Sequence, residues 1–141
     1  MPAVYEWYQR GLELLEAGDV HAAATLLERA AEAEPEKASI REALARAYFR
    51  GRRFSAALAE FTAALEISPA NDYAHFGAGL CLGRLGRLHQ AVGHLRMANV
   101  MRPGNDDYSD ALALWEAHLE RLAPEPPVTD DPEDRPREAT S

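Results

Sequence analysis

The sequence predicts an all-α fold, a right-handed α-solenoid of three antiparallel helical hairpins followed by a capping helix. The main observation is a repeat, because residues 4–37, 38–71 and 72–105 align without a gap at a period of 34 residues. Leu and Ala dominate the composition while β-branched residues are sparse, which favours helices over strands. Helical units that recur at such a period stack on their neighbours and bury a continuous core.

Each unit predicts two helices, called A and B here, which are joined by a short turn and ended by a stop signal. The turns are expected near Gly18, Gly51 and Gly86. The stop signals are Pro35, Pro69 and Pro103. Proline cannot continue a helix, and it disfavours helical angles in the residue before it. Asn71 and Asn105 follow two of these prolines, where the next helix needs an N-cap.

Small and large residues alternate at fixed places of the predicted B helices. The places hold Ala23, Leu27 and Ala30, then Ala57, Phe61 and Ala64, then Ala91, Leu95 and Ala98. Small residues allow two helix backbones to approach closely, and large residues fill the space beside them. We therefore predict that these positions form the core between the helices.

This arrangement of small, large and proline positions resembles the tetratricopeptide repeat, whose period it shares. The resemblance is specific and covers residues 4–105, with local departures. The family's large residue at the fourth place of a repeat is present as Trp7 but is replaced by Arg41 and His75. The leucine of the seventh place is present as Leu44, whereas the other two repeats have Arg10 and Ala78. The resemblance implies a tetratricopeptide repeat domain over residues 4–122, with a capping helix at 106–122.

The capping helix is expected from an apolar stripe after the last proline. The stripe consists of Leu112, Trp115, Leu119 and Leu122, which share one helix face. Acidic residues in the first turn suit the positive end of the helix dipole. An amphipathic helix at this place would cover the open end of a solenoid.

Residues 123–141 change abruptly to an acidic, proline-rich composition with almost no large apolar side chain. Such a segment cannot bury enough surface to offset the entropy of ordering, so we expect a disordered tail. It is either a solvated tail that aids solubility or a segment that folds back over the arginines of the groove described next.

The resemblance also implies a binding surface, since the A helices of this family line the concave face of the stack. Five places of each repeat face that groove, namely the second, fifth, ninth, twelfth and thirteenth. The predicted groove residues are Tyr5, Tyr8, Leu12, Glu42, Arg46, Phe49, Arg50, Tyr73, Phe76, Leu80 and Arg84. Aromatic side chains on an open groove supply binding hot spots, and arginines bind carboxylates or backbone carbonyls. In the alternative interpretation, contacts between neighbouring A helices use Leu12, Leu15 and Phe49, and Tyr8 covers Trp7.

The function predicted from this groove is that of a protein–protein interaction adaptor or scaffold, which holds a peptide or helix of a partner. The alternative is a structural module that self-associates through the same surface as a homo-oligomer. Bacterial secretion chaperones with three such repeats are an architectural parallel, because their grooves are also apolar. We expect a bacterial, cytoplasmic protein.

One subtype of the family is excluded. Tetratricopeptide domains that bind the free C-terminus of heat-shock chaperones use Lys and Asn in the first A helix, Asn in the second, and Lys and Arg in the third. The corresponding residues here are Tyr8, Leu12, Ala43, Tyr73 and Gly77. None of them matches.

Other functions are not supported by the sequence. The net charge of −8 is the opposite of that expected for a nucleic-acid binder, and no apolar run reaches the length of a membrane span. There is no phosphate-binding glycine loop and no plausible nucleophile–base pair, so we expect no enzymatic activity. We expect no cofactor and no metal site among the histidines. Cys81, the single cysteine, is predicted to be an inert buried thiol.

Overall fold

The computed structural model describes residues 2–122, and this part of the chain forms seven helices and no strand. They are α1 (Pro2–Glu16), α2 (Val20–Ala33), α3 (Ala38–Arg50), α4 (Phe54–Ile67), α5 (Asp72–Arg84), α6 (Leu88–Met101) and α7 (Asp106–Leu122). Helices α1, α3 and α5 are the predicted A helices, and α2, α4 and α6 are the predicted B helices. The tail expected at residues 123–141 lies outside the described residues.

The turns within the hairpins lie where the sequence predicts them, but the second turn is built differently. Gly18 and Gly86 have φ angles of 89° and 81°, in the left-handed region that favours glycine. In the second hairpin the equivalent residue is Arg52, with φ of 63°. Gly51 has an ordinary φ of −85°. The glycine that marks this turn in the sequence is therefore not the residue with the left-handed backbone.

The predicted helix ends and caps are confirmed. Helices α2, α4 and α6 each end two residues before the proline of their repeat. The side-chain oxygen of Asn71 accepts a hydrogen bond from the backbone N–H of Ala74 at 3.0 Å. That of Asn105 accepts one from the backbone N–H of Tyr108 at 3.1 Å. Both asparagines thus satisfy a backbone donor of the first turn that follows them.

The small and large positions of the B helices form the core, as predicted. All nine residues named for these places are at most 2% exposed. Two glycines of the A helices allow the hairpins to close tightly. A Cβ atom on Gly11 would lie 2.7 Å from Leu27, and one on Gly79 would lie 2.7 Å from Leu95. The close approach of helix A to helix B therefore depends on the missing side chain.

The stack is concave on the side of the A helices. Each helix packs against the next one along the chain. The A helices also contact one another in the pairs α1–α3 and α3–α5, and α5 contacts the capping helix α7. Within residues 2–122, no comparable contact joins α2 with α4 or α4 with α6. Because the A helices lie closer together than the B helices, the array curves toward the A side.

Helix α7 packs against α6 and α5 and covers the last hairpin. Leu112, Trp115 and Leu119 are partly buried, and a Cβ atom on Gly83 would lie 2.7 Å from the indole of Trp115. Leu122 is 62% exposed, so the predicted apolar stripe ends one turn earlier than expected. Within residues 2–122, α7 contacts only α6 and α5, and its one buried residue, Tyr108, lies near its start.

None of the described helices combines the length and the apolar character needed to cross a bilayer.

Candidate functional site

A pocket of about 170 Å³ opens at the middle of the concave side, between α3 and α5. Its lining residues are Arg46, Phe49 and Arg50 of α3, Phe61 of α4, and Tyr73, Phe76, Gly77 and Leu80 of α5. We call this the central pocket. Six of these eight residues were predicted from the sequence as groove residues, because the A helices supply them.

The floor of the central pocket is made by Phe61 and Gly77, which the sequence did not predict as site residues. Phe61 is only 2% exposed, and a Cβ atom on Gly77 would lie 2.2 Å from the tip of its ring. The ring therefore lies directly against the backbone of α5. A glycine inside a helix costs stability relative to alanine, and this cost is the signal that could have marked position 77.

Aromatic rings support one another along the wall of the central pocket. The centroid of Tyr73 lies 6.1 Å from that of Phe61 and 6.2 Å from that of Phe76. Phe76 in turn lies 4.7 Å from Tyr108 of α7. Phe49 meets Phe54 edge to face at 5.2 Å. Rings held in this way lose little conformational freedom when a ligand covers them.

The predicted arginines differ in their surroundings. Nη1 of Arg50 donates to the carbonyl oxygen of Leu15 at 2.9 Å, so this guanidinium is already tied to the end of α1. The guanidinium of Arg84 lies 5.6 Å from the centroid of Phe54, outside the lining of the central pocket. Arg46 lines the pocket, and no hydrogen bond or ion pair joins it to another group in residues 2–122.

The electrostatics of the pocket follow from this arrangement. Burial raises the pKa of the Tyr73 hydroxyl, while the positive charge of Arg46 opposes that rise. Glu42, a further predicted groove residue, accepts a hydrogen bond from the side-chain amide of Asn71. Glu42 therefore joins α3 to the cap of α5. Of the two arginines that line the central pocket, Arg50 is bound to α1, so Arg46 is the one available to a carboxylate.

The remaining predicted residues do not join the central pocket. Tyr5 and Tyr8 line a second depression of about 260 Å³ between α1 and the start of α3. Tyr5 is 65% exposed there. Leu12 is partly buried and packs against the hydrophobic core. Contact of any of these residues with a partner stays a prediction.

The repeat is also recognised by comparison with known proteins. A tetratricopeptide repeat model matches this chain over residues 8–72 and again over 43–106. The chain belongs to the tetratricopeptide repeat family. Superkiller complex protein 3 of Mus musculus is 32% identical over 118 residues, which are 83% of this chain. The chain spans about 7% of the length of that relative.

Solved tetratricopeptide domains share the fold. The first such domain of Spaghetti (RPAP3), bound to the HSP90 peptide SRMEEVD, superimposes with a TM-score of 0.81 at 18% identity. That match covers 84% of this chain and 94% of the other. The OM64 tetratricopeptide domain of Arabidopsis gives a TM-score of 0.80 at 22% identity, covering 84% of this chain and 98% of the other.

The fourth tetratricopeptide place, where the sequence departs from the family, carries polar pairs between helices A and B. Arg41 forms an ion pair with Glu60 at 2.8 Å. One repeat later, Nδ1 of His75 lies 3.1 Å from Nδ1 of His94. The sequence interpretation treated the histidines separately and missed this contact. The sequence did contain a signal for this contact, since Arg41 and Glu60 occupy the equivalent two places of the second repeat and have complementary charges.

Cys81 is fully buried, and burial raises the pKa of its thiol to about 12, so it is protonated at neutral pH. Among residues 2–122, no group of three or more His, Cys, Asp or Glu side chains is placed to hold a metal ion.

Proposed function

We propose that this chain is a protein–protein interaction adaptor that holds a peptide or helix of a partner on its concave side. The observation that carries the proposal is the central pocket, in which an apolar floor lies beside the available guanidinium of Arg46. Aromatic and arginine side chains are enriched among residues that dominate binding energy. The bound peptide in the similar Spaghetti domain supports this use of the fold.

The pocket chemistry favours a partner that presents one apolar side chain with a carboxylate near it. The apolar side chain would fill the space between Phe49, Tyr73 and Leu80. The carboxylate would pair with Arg46, which can form two parallel hydrogen bonds to it. Such a ligand would anchor at a single place, in contrast to a peptide that is held by charges along its whole length.

Recognition of a free C-terminal carboxylate is not expected in this chain. The family positions that grip a free C-terminal carboxylate are occupied by Tyr8, Leu12, Ala43, Tyr73 and Gly77. None of these side chains carries a positive charge. Calorimetric titration should therefore give the same affinity for SRMEEVD and for the same peptide with an amidated C-terminus, and a loss of binding on amidation would show that the proposed recognition chemistry is wrong.

Selection from a displayed peptide library tests the proposal directly. Peptides enriched on the wild-type chain should contain an apolar residue near an acidic one. Arg46→Glu should abolish their binding by charge repulsion, and Leu80→Gln should weaken it by placing a polar group in the pocket. The matched controls are Arg29→Glu and Val100→Gln on exposed faces of the B helices α2 and α6, which should bind normally. Equal binding by all four variants would remove the groove from the proposal.

Self-association through the same surface is distinguished by sedimentation velocity across protein concentrations. A monomer at all concentrations, with peptide binding intact, favours the adaptor. A dimer that dissociates in Arg46→Glu but persists in Arg29→Glu would favour the structural module instead.

A further inference from the structure

The pair His75 and His94 lies away from the central pocket and serves no role in the proposed function. The equivalent residues are Trp7 and Leu26 in the first repeat and Arg41 and Glu60 in the second. Apolar residues or an ion pair thus suffice at these two places to join helix A to helix B. The first two repeats form the same hairpin without histidine at these places, so the fold itself does not require the pair.

The hydrogen bonds of the pair define which nitrogen carries each proton. Nε2 of His75 lies 3.1 Å from the carbonyl oxygen of Pro69, which can only accept, so this nitrogen carries the proton. Nδ1 of a neutral His75 is then a lone pair that faces Nδ1 of His94. In metal sites, a histidine ligand typically donates the N–H of one ring nitrogen to a backbone carbonyl and directs its other ring nitrogen at the metal. His75 has the first of these contacts, and its other nitrogen faces a second possible ligand atom.

The spacing of the two nitrogens fits a metal ion. Two nitrogens at about 2.0–2.1 Å from a shared metal ion lie about 3.3 Å apart in a tetrahedral site and about 3.5 Å apart in a trigonal one. The two Nδ1 atoms lie 3.1 Å apart, so the rings need to separate only slightly. His94 can move its proton from Nδ1 to Nε2, and the neutral pair then offers two lone pairs without losing a proton. Burial lowers the pKa of His94, with a smaller effect from His75, and this keeps the ring neutral.

A sulfur donor lies in the same place. The two histidines line an open depression of about 290 Å³ together with Gln90, Gly93 and Met97. Met97 follows His94 by three residues on α6 and is 46% exposed, so its thioether can turn toward the pair. Nothing lies within 4 Å of the place where a Cβ atom of Gly93 would stand, so no neighbouring group fills the depression at this position.

We propose that His75 and His94 bind a copper(I) ion through their Nδ1 atoms, with the sulfur of Met97 as the third donor. Imidazole suits several transition metals, whereas a thioether selects copper(I) among them. The lining contains no carboxylate and no thiolate, so all three donors are neutral. A neutral donor set favours a monovalent cation over Zn²⁺, which is commonly bound by anionic thiolates or carboxylates as well as by histidine.

Nuclear magnetic resonance of the wild-type chain tests the site without a substitution. Copper(I) is diamagnetic and can be added anaerobically as its acetonitrile complex, while the imidazole nitrogens are followed by long-range ¹H–¹⁵N correlation. One equivalent should shift the Nδ1 resonances of His75 and His94 and leave those of His21 and His89 in place. Unchanged Nδ1 resonances of the pair at one equivalent would overturn the proposal.

Competition with the chromophoric copper(I) chelator bicinchoninate measures the affinity of variants. His75→Gln and His94→Gln should lose one-to-one binding, and Met97→Leu should retain it more weakly. The matched controls are His89→Gln, on the exposed face of the same helix, and Cys81→Ala, which removes the buried thiol; both should bind as the wild type does. Loss of binding in Cys81→Ala, or retention in a His75→Gln/His94→Gln variant, would contradict the site. Tighter binding of Zn²⁺ than of copper(I) at the same nitrogens would contradict the choice of metal.

Discussion

At the residue scale, the second hairpin turn contains a residue that is unfavourable for its backbone conformation. Arg52 occupies the left-handed position that is glycine in the other two turns. This conformation costs an L-residue about 1–2 kcal/mol, and glycine would remove that cost. Glycine also gives the unfolded chain more conformational freedom, which lowers the gain by about 0.5–1 kcal/mol. We expect Arg52→Gly to raise the free energy of unfolding by roughly 0.5 kcal/mol, measured by urea denaturation.

The equivalent turns provide the control for this change. Gly18→Ala and Gly86→Ala place a side chain at φ angles of 89° and 81° and should each lower the free energy of unfolding. An Arg52→Gly variant that is less stable than the wild type would mean that the guanidinium, 5.4 Å from the ring of Phe54, contributes more than the backbone strain removes.

Two glycines within helices should respond to alanine with opposite signs. In Gly77→Ala the new methyl would lie 2.2 Å from the buried ring of Phe61. Overpacking of this kind lowers stability by about 1–3 kcal/mol. In Gly93→Ala nothing lies within 4 Å of the methyl, so helix propensity alone should raise stability by about 0.5–1 kcal/mol. Chemical denaturation checks both, and equal effects at the two positions would be evidence against the Phe61–Gly77 contact.

The candidate site was predictable from the sequence only where the repeat register determines it. The register places Arg46, Phe49 and Phe76 on the inner face of the A helices, and they do line the central pocket. Phe61 belongs to a B helix, and only the packed structure shows its ring passing under Gly77 to reach the groove. Local patterns assign a residue to a face, whereas contact through a neighbouring helix depends on packing between elements.

At the element scale, one carboxylate joins the last three helices. Asp72 begins α5, and its Oδ2 accepts hydrogen bonds from the hydroxyl of Tyr108 at 2.7 Å and from Nε of Arg102 at 3.0 Å. Tyr108 belongs to α7, and Arg102 follows α6 directly. The sequence predicted the helices and their caps from short-range patterns. It gave no signal for this contact, because the two partners are 30 and 36 residues away from Asp72.

This contact predicts an acid-dependent loss of stability. The hydrogen bond from Tyr108 is the main cause that lowers the pKa of Asp72 below 3.8, with Arg102 adding to it and burial opposing it. The folded state therefore holds fewer protons on this group than the unfolded state. The stabilisation is fully present above pH 3.8 and is lost as the pH falls through the lowered pKa.

Removing the hydroxyl tests this linkage. Tyr108→Phe should lower the free energy of unfolding by about 1–2 kcal/mol at neutral pH. The difference from the wild type should shrink below pH 3.8, where the carboxyl is protonated in the unfolded state. Tyr73→Phe is the control, because the hydroxyl of Tyr73 donates no hydrogen bond within residues 2–122. A pH-independent effect of Tyr108→Phe would show that the ring packing, and not the charge, is what the substitution disturbs.

At the scale of the whole molecule, stability should be graded along the stack. Each helix packs mainly on its neighbours in sequence, so an internal helix is held on both sides while α1 and α7 are each held on one. Helix α7 has Tyr108 as its single buried residue, whereas α3 and α5 each have six or more. The array should therefore open from its ends while the middle hairpin stays folded.

Native-state hydrogen exchange measures this gradient directly. Amides of α3, α4 and α5 should exchange slowest, and those of α7 should exchange with the lowest free energy of opening. Trp115→Ala removes the indole that lies against Gly83, so it should speed exchange in α7 and leave α1 unchanged. Leu114→Ala in the same helix, at a side chain that is 62% exposed, should change neither. If Trp115→Ala instead lowers protection equally in all seven helices, the chain unfolds as one cooperative unit, and nearest-neighbour packing does not set its stability.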